Sequence, residues 1–198
     1  MQSTRVELVR LTKDHLSGYF SLRSDWEIEK WHRPRPCASL QEAEEEMLGE
    51  LSDVGRDTYA ILLRHDLDPN GMDGWHCTKA NDGSSVLVPG GFVGYIGVYG
   101  LLGHVAEVCY NIHRSAWGLG IATEALLAFT ELFWMIYPDH NRLLGRCDVE
   151  NPASGRVLEK AGFEYYDFLY ADEFQPWMIP QARDSLRFVL VRPGYTLD

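Results

Sequence analysis

The sequence predicts a mixed α/β (α+β) domain, a single sheet sandwiched by helices, and three observations carry that expectation. Short period-two apolar runs dominate the first hundred residues. After residue 105, two glycine-punctuated units follow in the order strand, helix, strand, helix, strand. With 198 residues, 45% of them hydrophobic, the chain can bury the core such a sheet requires, so residues 1–198 are expected to form one domain.

The elements follow in order. Residues 5–11 alternate Val6 and Leu8 against Glu7 and Val9, then Thr12-Lys13-Asp14 signals a capped helix carrying Leu16, Tyr19, Phe20 and Leu22 inward. Ser39 is an N-cap for a second helix with Leu40, Ala43, Met47, Leu48 and Leu51 at spacings of three and four. Its acids Glu42 and Glu44, Glu45 and Glu46 are expected to form a solvated face. Strands are expected at 58–63 and 91–99, separated by a polar insertion of about 66–90, longer than a hairpin turn needs.

A strand over 105–112, a glycine turn and a helix with Ile121, Ala125, Leu126, Phe129, Phe133 and Ile136 inward come next, ended by Pro138. Residues 143–149 form a further strand. Asn151 caps a helix opened by Pro152 and closed by Gly162, and strands over 163–170 and 185–191 complete the domain. The segment 172–184 is expected to be a loop.

Composition excludes several classes of function. A formal net charge of −11 argues against a nucleic-acid partner, whose phosphates require clustered Lys and Arg. The longest apolar stretch, 125–138, is interrupted by Glu131 and too short to span a bilayer, and the N-terminus lacks a basic patch followed by an apolar run. No membrane association is expected, and the location is expected to be cytoplasmic. Cys37, Cys77, Cys109 and Cys147 show no paired spacing, and His32 and His76 lack ligand spacing, so no metal is expected.

The chemistry concentrates in two segments. In the first, 112–125, Trp117-Gly118-Leu119-Gly120-Ile121-Ala122-Thr123 lies between a strand and a helix, where glycines let main-chain N–H groups converge on an anion at the helix's positive end. Read alone, this segment is equally a tight turn. The second is Asn151-Pro152-Ala153-Ser154-Gly155-Arg156-Val157-Leu158-Glu159-Lys160-Ala161-Gly162-Phe163. Together the patterns Trp-Gly-x-Gly-x-Ala-Thr-Glu-Ala and Asn-x-x-Ser-x-Arg-Val-Leu-Glu-Lys-x-Gly-Phe resemble the GNAT superfamily of N-acetyltransferases, in particular its RimJ/RimL-like branch.

That resemblance implies a mostly antiparallel sheet of about seven strands with a splayed central strand, flanked by about four helices. It implies acetyl-CoA as cosubstrate, its pyrophosphate held around Trp117, Gly118, Leu119, Gly120, Ile121, Ala122 and Thr123, with Tyr110, Ile112, Asn151 and Ser154 completing the site. Trp117 stands where the family pattern has Gln or Arg. Residues 107–112 resemble the central strand, whose amide near Cys109 or Tyr110 would polarise the thioester carbonyl.

Direct transfer requires a free amine, and an alkylamine of pKa about 10.4 costs about 4.6 kcal/mol to deprotonate at pH 7. The resemblance favours Glu107 as the base, with Ser154 or a tyrosine, Tyr165 or Tyr166, serving the leaving thiolate. Each has a structural alternative: a salt-bridged glutamate, a helix-terminal serine, a tyrosine pointing away. Trp31, His32 and Arg33, with Trp26 and Arg35 nearby, form the expected acceptor wall. The acceptor is an amine of a small molecule or a protein N-terminus, and the chain a monomer or homodimer. The alternative is a catalytically silent CoA-binding sensor or interaction module of the same fold.

Overall fold

A computed structural model describes residues 5–31, 35–67, 87–102 and 105–196. Twelve principal elements are found among them: β1 (Val6–Arg10), α1 (Leu16–Arg23), α2 (Trp26–Glu29), α3 (Leu40–Ser52), β2 (Asp57–Leu63), β3 (Phe92–Tyr99), β4 (Ala106–Ile112), α4 (Ile121–Ile136), β5 (Arg142–Asp148), α5 (Pro152–Lys160), β6 (Glu164–Phe174) and β7 (Ala182–Val191). The strands form one seven-stranded sheet in the order β1-β2-β3-β4-β5-β7-β6. The last strand of the chain is thus inserted between β5 and β6.

All neighbours are antiparallel except β4 and β5. That parallel pair holds for three residues only, Ala106 opposite Leu143, Glu107 opposite Leu144 and Val108 opposite Gly145. Beyond Val108 the two strands part, while β4 stays paired with β3 as far as Ile112. The gap between them positions the site.

The pleat sends alternate side chains to opposite faces, and each face has its own core. On one, Ile61, Ile96, Val108 and Leu143 pack under α4 and α5 with Phe129, Phe133 and Leu158. On the other, Ala60 and Tyr95 meet Tyr19 and Leu22 of α1 and Ala43 and Met47 of α3. Each such large side chain removed from water stabilises the fold by about 1.5–3 kcal/mol.

Local chemistry accounts for the ends of the helices. The Ser39 hydroxyl accepts from the Glu42 amide at 3.1 Å, and Asn151 accepts from the Ser154 amide at 3.3 Å with Pro152 at the first helical position. Gly162, with φ of 90°, takes the left-handed conformation that ends α5.

Several expectations are corrected. Leu40, Leu48 and Leu51 of α3 are exposed, as is Ile136 of α4. The acids of α3 do not share one solvated face, because Glu46 receives Arg23 at 2.6 Å and the Cys37 thiol at 3.2 Å. Segment 172–184 is only partly a loop, since residues 172–174 belong to β6 and residues 182–184 to β7. The insertion 66–90 connects β2 to β3, and its interior lies outside the described residues.

Candidate active site

On the α4 side, β4 delivers the chain into a tight turn. His113 caps the turn Arg114–Ala116 through the Ser115 amide, and the indole N–H of Trp117 donates to the Ile112 carbonyl at 2.8 Å. Trp117 therefore secures the free end of β4, and its nitrogen is not available to a phosphate. Gly118 and Gly120 follow with φ of 75° and 79°, a backbone that side chains with a Cβ rarely adopt. Nothing lies within 4 Å of where a Gly118 Cβ would stand, so backbone conformation rather than crowding requires glycine there.

Gly120 is the N-cap of α4, whose first-turn amides lack partners within the helix and carry its positive end. Arg5 steadies this turn, donating to the Leu119 carbonyl at 2.9 Å and to Glu124 at 2.7 Å, which offsets the acid nearest the anion site.

From that turn a groove of about 970 Å³ runs into the gap between β4 and β5. Along it lie Tyr110, Ile112, Gly118, Thr123, Asn151 and Ser154. The Tyr110 hydroxyl bridges the gap to the Ser154 carbonyl at 3.0 Å, and the Asn151 side-chain amide donates to the Ser154 hydroxyl at 3.1 Å.

The other sheet face presents charge. Arg146 of β5 donates to Glu107 at 3.0 Å, Asp172 at 2.7 Å and the Tyr99 hydroxyl at 3.1 Å, with Glu173 at 3.1 Å. One Glu107 oxygen is thus already engaged. Burial pushes the Cys109 thiol up to about 12, assisted by the charge of Glu50, so it stays protonated and is a poor nucleophile at neutral pH. A second cavity of about 410 Å³ lies between the sheet and α3, and it reaches Cys109, Tyr110 and Asn111 from the side opposite the turn.

Beneath that cavity runs a buried polar chain. Arg23 pairs with Glu29 and with Glu46, and Asn111 donates to Glu29 at 3.2 Å and contacts the Tyr95 hydroxyl at 2.5 Å. Burial raises the Glu29 carboxyl to about 7, against the opposing pull of Arg23. Burial also pushes the Glu50 carboxyl up, with Arg56 opposing.

The structure brings most of the expected residues together. Tyr110, Ile112, Trp117, Gly118, Gly120, Ala122, Thr123, Asn151 and Ser154 all line the groove, and so do Glu107 and Trp31. Leu119 and Ile121 contribute only main chain: the Leu119 carbonyl is taken by Arg5, and Ile121 is fully buried in the core. Tyr166 is a correction. It lies on β6, 50% exposed, under the Arg187 guanidinium at 5.1 Å, and lines neither cavity. Tyr165 packs edge-on against Phe188 instead. The tyrosines that line the cavities are Tyr95, Tyr99 and Tyr110. His32 and Arg33 lie outside the described residues.

Sequence reasoning missed Glu50, Arg56, Tyr99 and Arg146. For Glu50 a signal existed: Glu46 and Glu50 recur at the helical interval of the buried pair Ala43 and Met47, so they turn toward the sheet. The reach of Arg146 from β5 to β6 could not be read without the strand order.

Among the described residues, no group of acids, histidines and cysteines could hold a metal ion, and no helix is long and apolar enough to cross a membrane. A family model described as an acetyltransferase (GNAT) domain matches residues 5–164. No curated protein sequence matches the chain significantly.

Among solved structures, RimL, a ribosomal L7/L12 alpha-N-protein acetyltransferase in complex with coenzyme A, superposes with a TM-score of 0.72. The two are 16% identical, over 98% of this chain and 97% of that one. Spermidine N-acetyltransferase from Vibrio cholerae, in complex with CoA and spermine, gives 0.67 at 15% identity over 94% and 95%. A GNAT-family acetyltransferase from Bacillus anthracis gives 0.68 at 16% over 96% and 97%. At these identities the likeness is one of fold.

Proposed function

The chain belongs to the GNAT acetyltransferase family, and from that premise we propose that it binds acetyl-CoA along the groove and transfers the acetyl group directly to an amine. The observation that carries this reading is the continuity of the groove. It begins at the left-handed Gly118 and Gly120 beside the positive end of α4, and ends where β4 leaves β5 beyond Val108.

The residues present fit a pyrophosphate at the turn. Gly118 and Gly120 keep it free of side chains, and the amides of Ile121, Ala122 and Thr123 are oriented to donate. Past Val108 the β5 side of β4 no longer meets a neighbouring strand, which leaves main-chain groups near Cys109 and Tyr110 for the pantetheine arm and the thioester oxygen. Acetyl-CoA bound there supplies the activated acyl group. Ser154, whose oxygen accepts from Asn151, keeps its own hydroxyl proton for the departing sulfur.

The acceptor reaches the thioester from the face carrying Glu107, Tyr99 and Trp31. The similar structures bracket its class by their names, a ribosomal protein N-terminus for one and a polyamine for the other. The test is calorimetric titration of the purified chain with acetyl-CoA, CoA and desulfo-CoA, alongside a Gly120→Glu variant. Saturable binding lost in the variant supports the reading, and its absence in folded wild-type protein sinks it.

A further inference from the structure

We propose that Glu50 takes the proton from the acceptor's ammonium group, and that the acceptor is a slender primary alkylamine entering between α3 and the sheet; this rests on the transfer reading above. Glu107, the expected base, is held at 3.0 Å by a guanidinium that also binds Asp172, Glu173 and Tyr99. Glu50 is held more loosely, its ion pair with Arg56 spanning 3.6 Å.

Glu50 lines the 410 Å³ cavity together with Cys109, Tyr110 and Asn111, the stretch of β4 that has left β5. It faces Tyr19 and Arg23 of α1, Glu46 of α3, Arg56 after it, Tyr95 of β3 and Cys109 of β4. Burial raises its carboxyl above the ordinary carboxylate range, with Arg56 the main opposing charge.

The cavity also defines what can enter. Its charged lining is Arg23, Arg56, Glu46, Glu50 and Asp53, an excess of one negative charge, with the phenols of Tyr95 and Tyr99 on the sheet side. Gly49 lines it from within α3, where glycine costs about 1 kcal/mol relative to alanine, and a Cβ there would meet nothing within 4 Å. That open position leaves room for an alkyl chain at the helix surface.

The balance of the step is closed. The ammonium gives one proton to the Glu50 carboxylate, and the freed nitrogen pair forms the N–C bond as the C–S bond breaks. The sulfur leaves with the bonding pair and takes the Ser154 hydroxyl proton, and the nitrogen's second proton restores that hydroxyl. Glu50 then returns its proton to solvent, so ammonium and acetyl thioester yield amide, thiol and one released proton.

The experiment measures acetyl transfer to n-butylamine, 1,5-diaminopentane and spermine from pH 6 to 10, for wild type, Glu50→Gln, Glu50→Asp, Glu107→Gln and Gly49→Leu. Acetyl-CoA binding and circular dichroism are recorded for each. At pH 7, Glu50→Gln lowers kcat/KM by about 100-fold, within the usual range for a positioned base. Its rate then climbs about tenfold per pH unit toward the amine's own pKa, about 10.4, whereas Glu50→Asp and Glu107→Gln keep an acid limb like that of wild type. Gly49→Leu stays folded and binds acetyl-CoA but loses transfer to all three amines.

A Glu50→Gln rate within threefold of wild type, transfer of an acid-limb loss to Glu107→Gln, or unimpaired turnover by Gly49→Leu would overturn the assignment. So would acetyl-CoA binding by wild type without transfer to any of the three. Failure of wild type to bind acetyl-CoA instead defeats the transfer reading itself.

Discussion

The Tyr110 hydroxyl donates to the Ser154 main-chain carbonyl at 3.0 Å, tying β4 to the first turn of α5 across the gap where β4 and β5 separate. A splayed strand gives up ladder hydrogen bonds, and this phenol restores one link where the sheet has none to offer. Tyr110→Phe should therefore lower stability by about 0.5–1.5 kcal/mol, the ordinary net worth of one such bond. Urea unfolding followed by circular dichroism checks it; an unchanged midpoint would mean that the link contributes nothing.

The glycine turn is required by backbone conformation. Gly118→Ala places a Cβ where φ is 75° although the space is empty, a strain of about 1–2 kcal/mol. The expected result is weaker acetyl-CoA binding by about five- to twentyfold as the turn relaxes out of register. Titration calorimetry reads it, and a variant that binds as tightly as wild type would show that the loop tolerates another conformation.

Glu29 gives the buried chain a pH signature. Its carboxyl is raised from 4.5 to about 7 in the folded protein. Between those values the folded state holds the proton more than the unfolded state does. The contribution of this group to stability is thus full below about pH 4.5 and declines as pH rises through about 7. Glu29→Gln fixes the uncharged form, so the stability difference between variant and wild type should shift in the variant's favour from pH 5 to pH 8. Thermal unfolding across that interval measures it, and a constant difference would show that Arg23 keeps the carboxyl ionised throughout.

Trp177 braces the segment that carries Lys30 and Trp31 to the groove. Its indole nitrogen donates to the Lys30 carbonyl at 2.9 Å, joining the β6–β7 turn to the end of α2 beside Trp31. Trp177→Phe removes that bond while keeping an aromatic ring. We expect KM for an amine acceptor to rise about three- to tenfold with acetyl-CoA affinity unchanged, because the groove's turn end is untouched. Steady-state kinetics with calorimetry separates the two effects.

Much of this was legible in the sequence because local rules govern it. Ser39, Asn151, Pro152 and Gly162 set helix ends by chemistry that acts over three or four residues, and each performs that role. The glycine turn and both motif helices were legible for the same reason. What escaped depends on contacts between distant segments. Trp117 offered no local sign that its indole would bind Ile112, and Arg146 joins acids from β4 and β6 although β7 lies between β5 and β6, an arrangement only the strand order reveals. Tyr166 was misplaced because period-two alternation says that neighbours face opposite ways without saying which face is wet.

The insertion of β7 between β5 and β6 has a consequence for biosynthesis. On the ribosome β6 emerges before the only strand that pairs with it among the described residues, and Arg183, which binds Asp148 at 2.7 and 2.8 Å, emerges with the start of that later strand β7. A nascent chain halted near residue 164, where the family match stops, would carry both motif helices and the glycine turn without the strand that braces β5. Such a product should be a protease-sensitive fragment, and activity should arise only once residues 182–191 have cleared the exit tunnel.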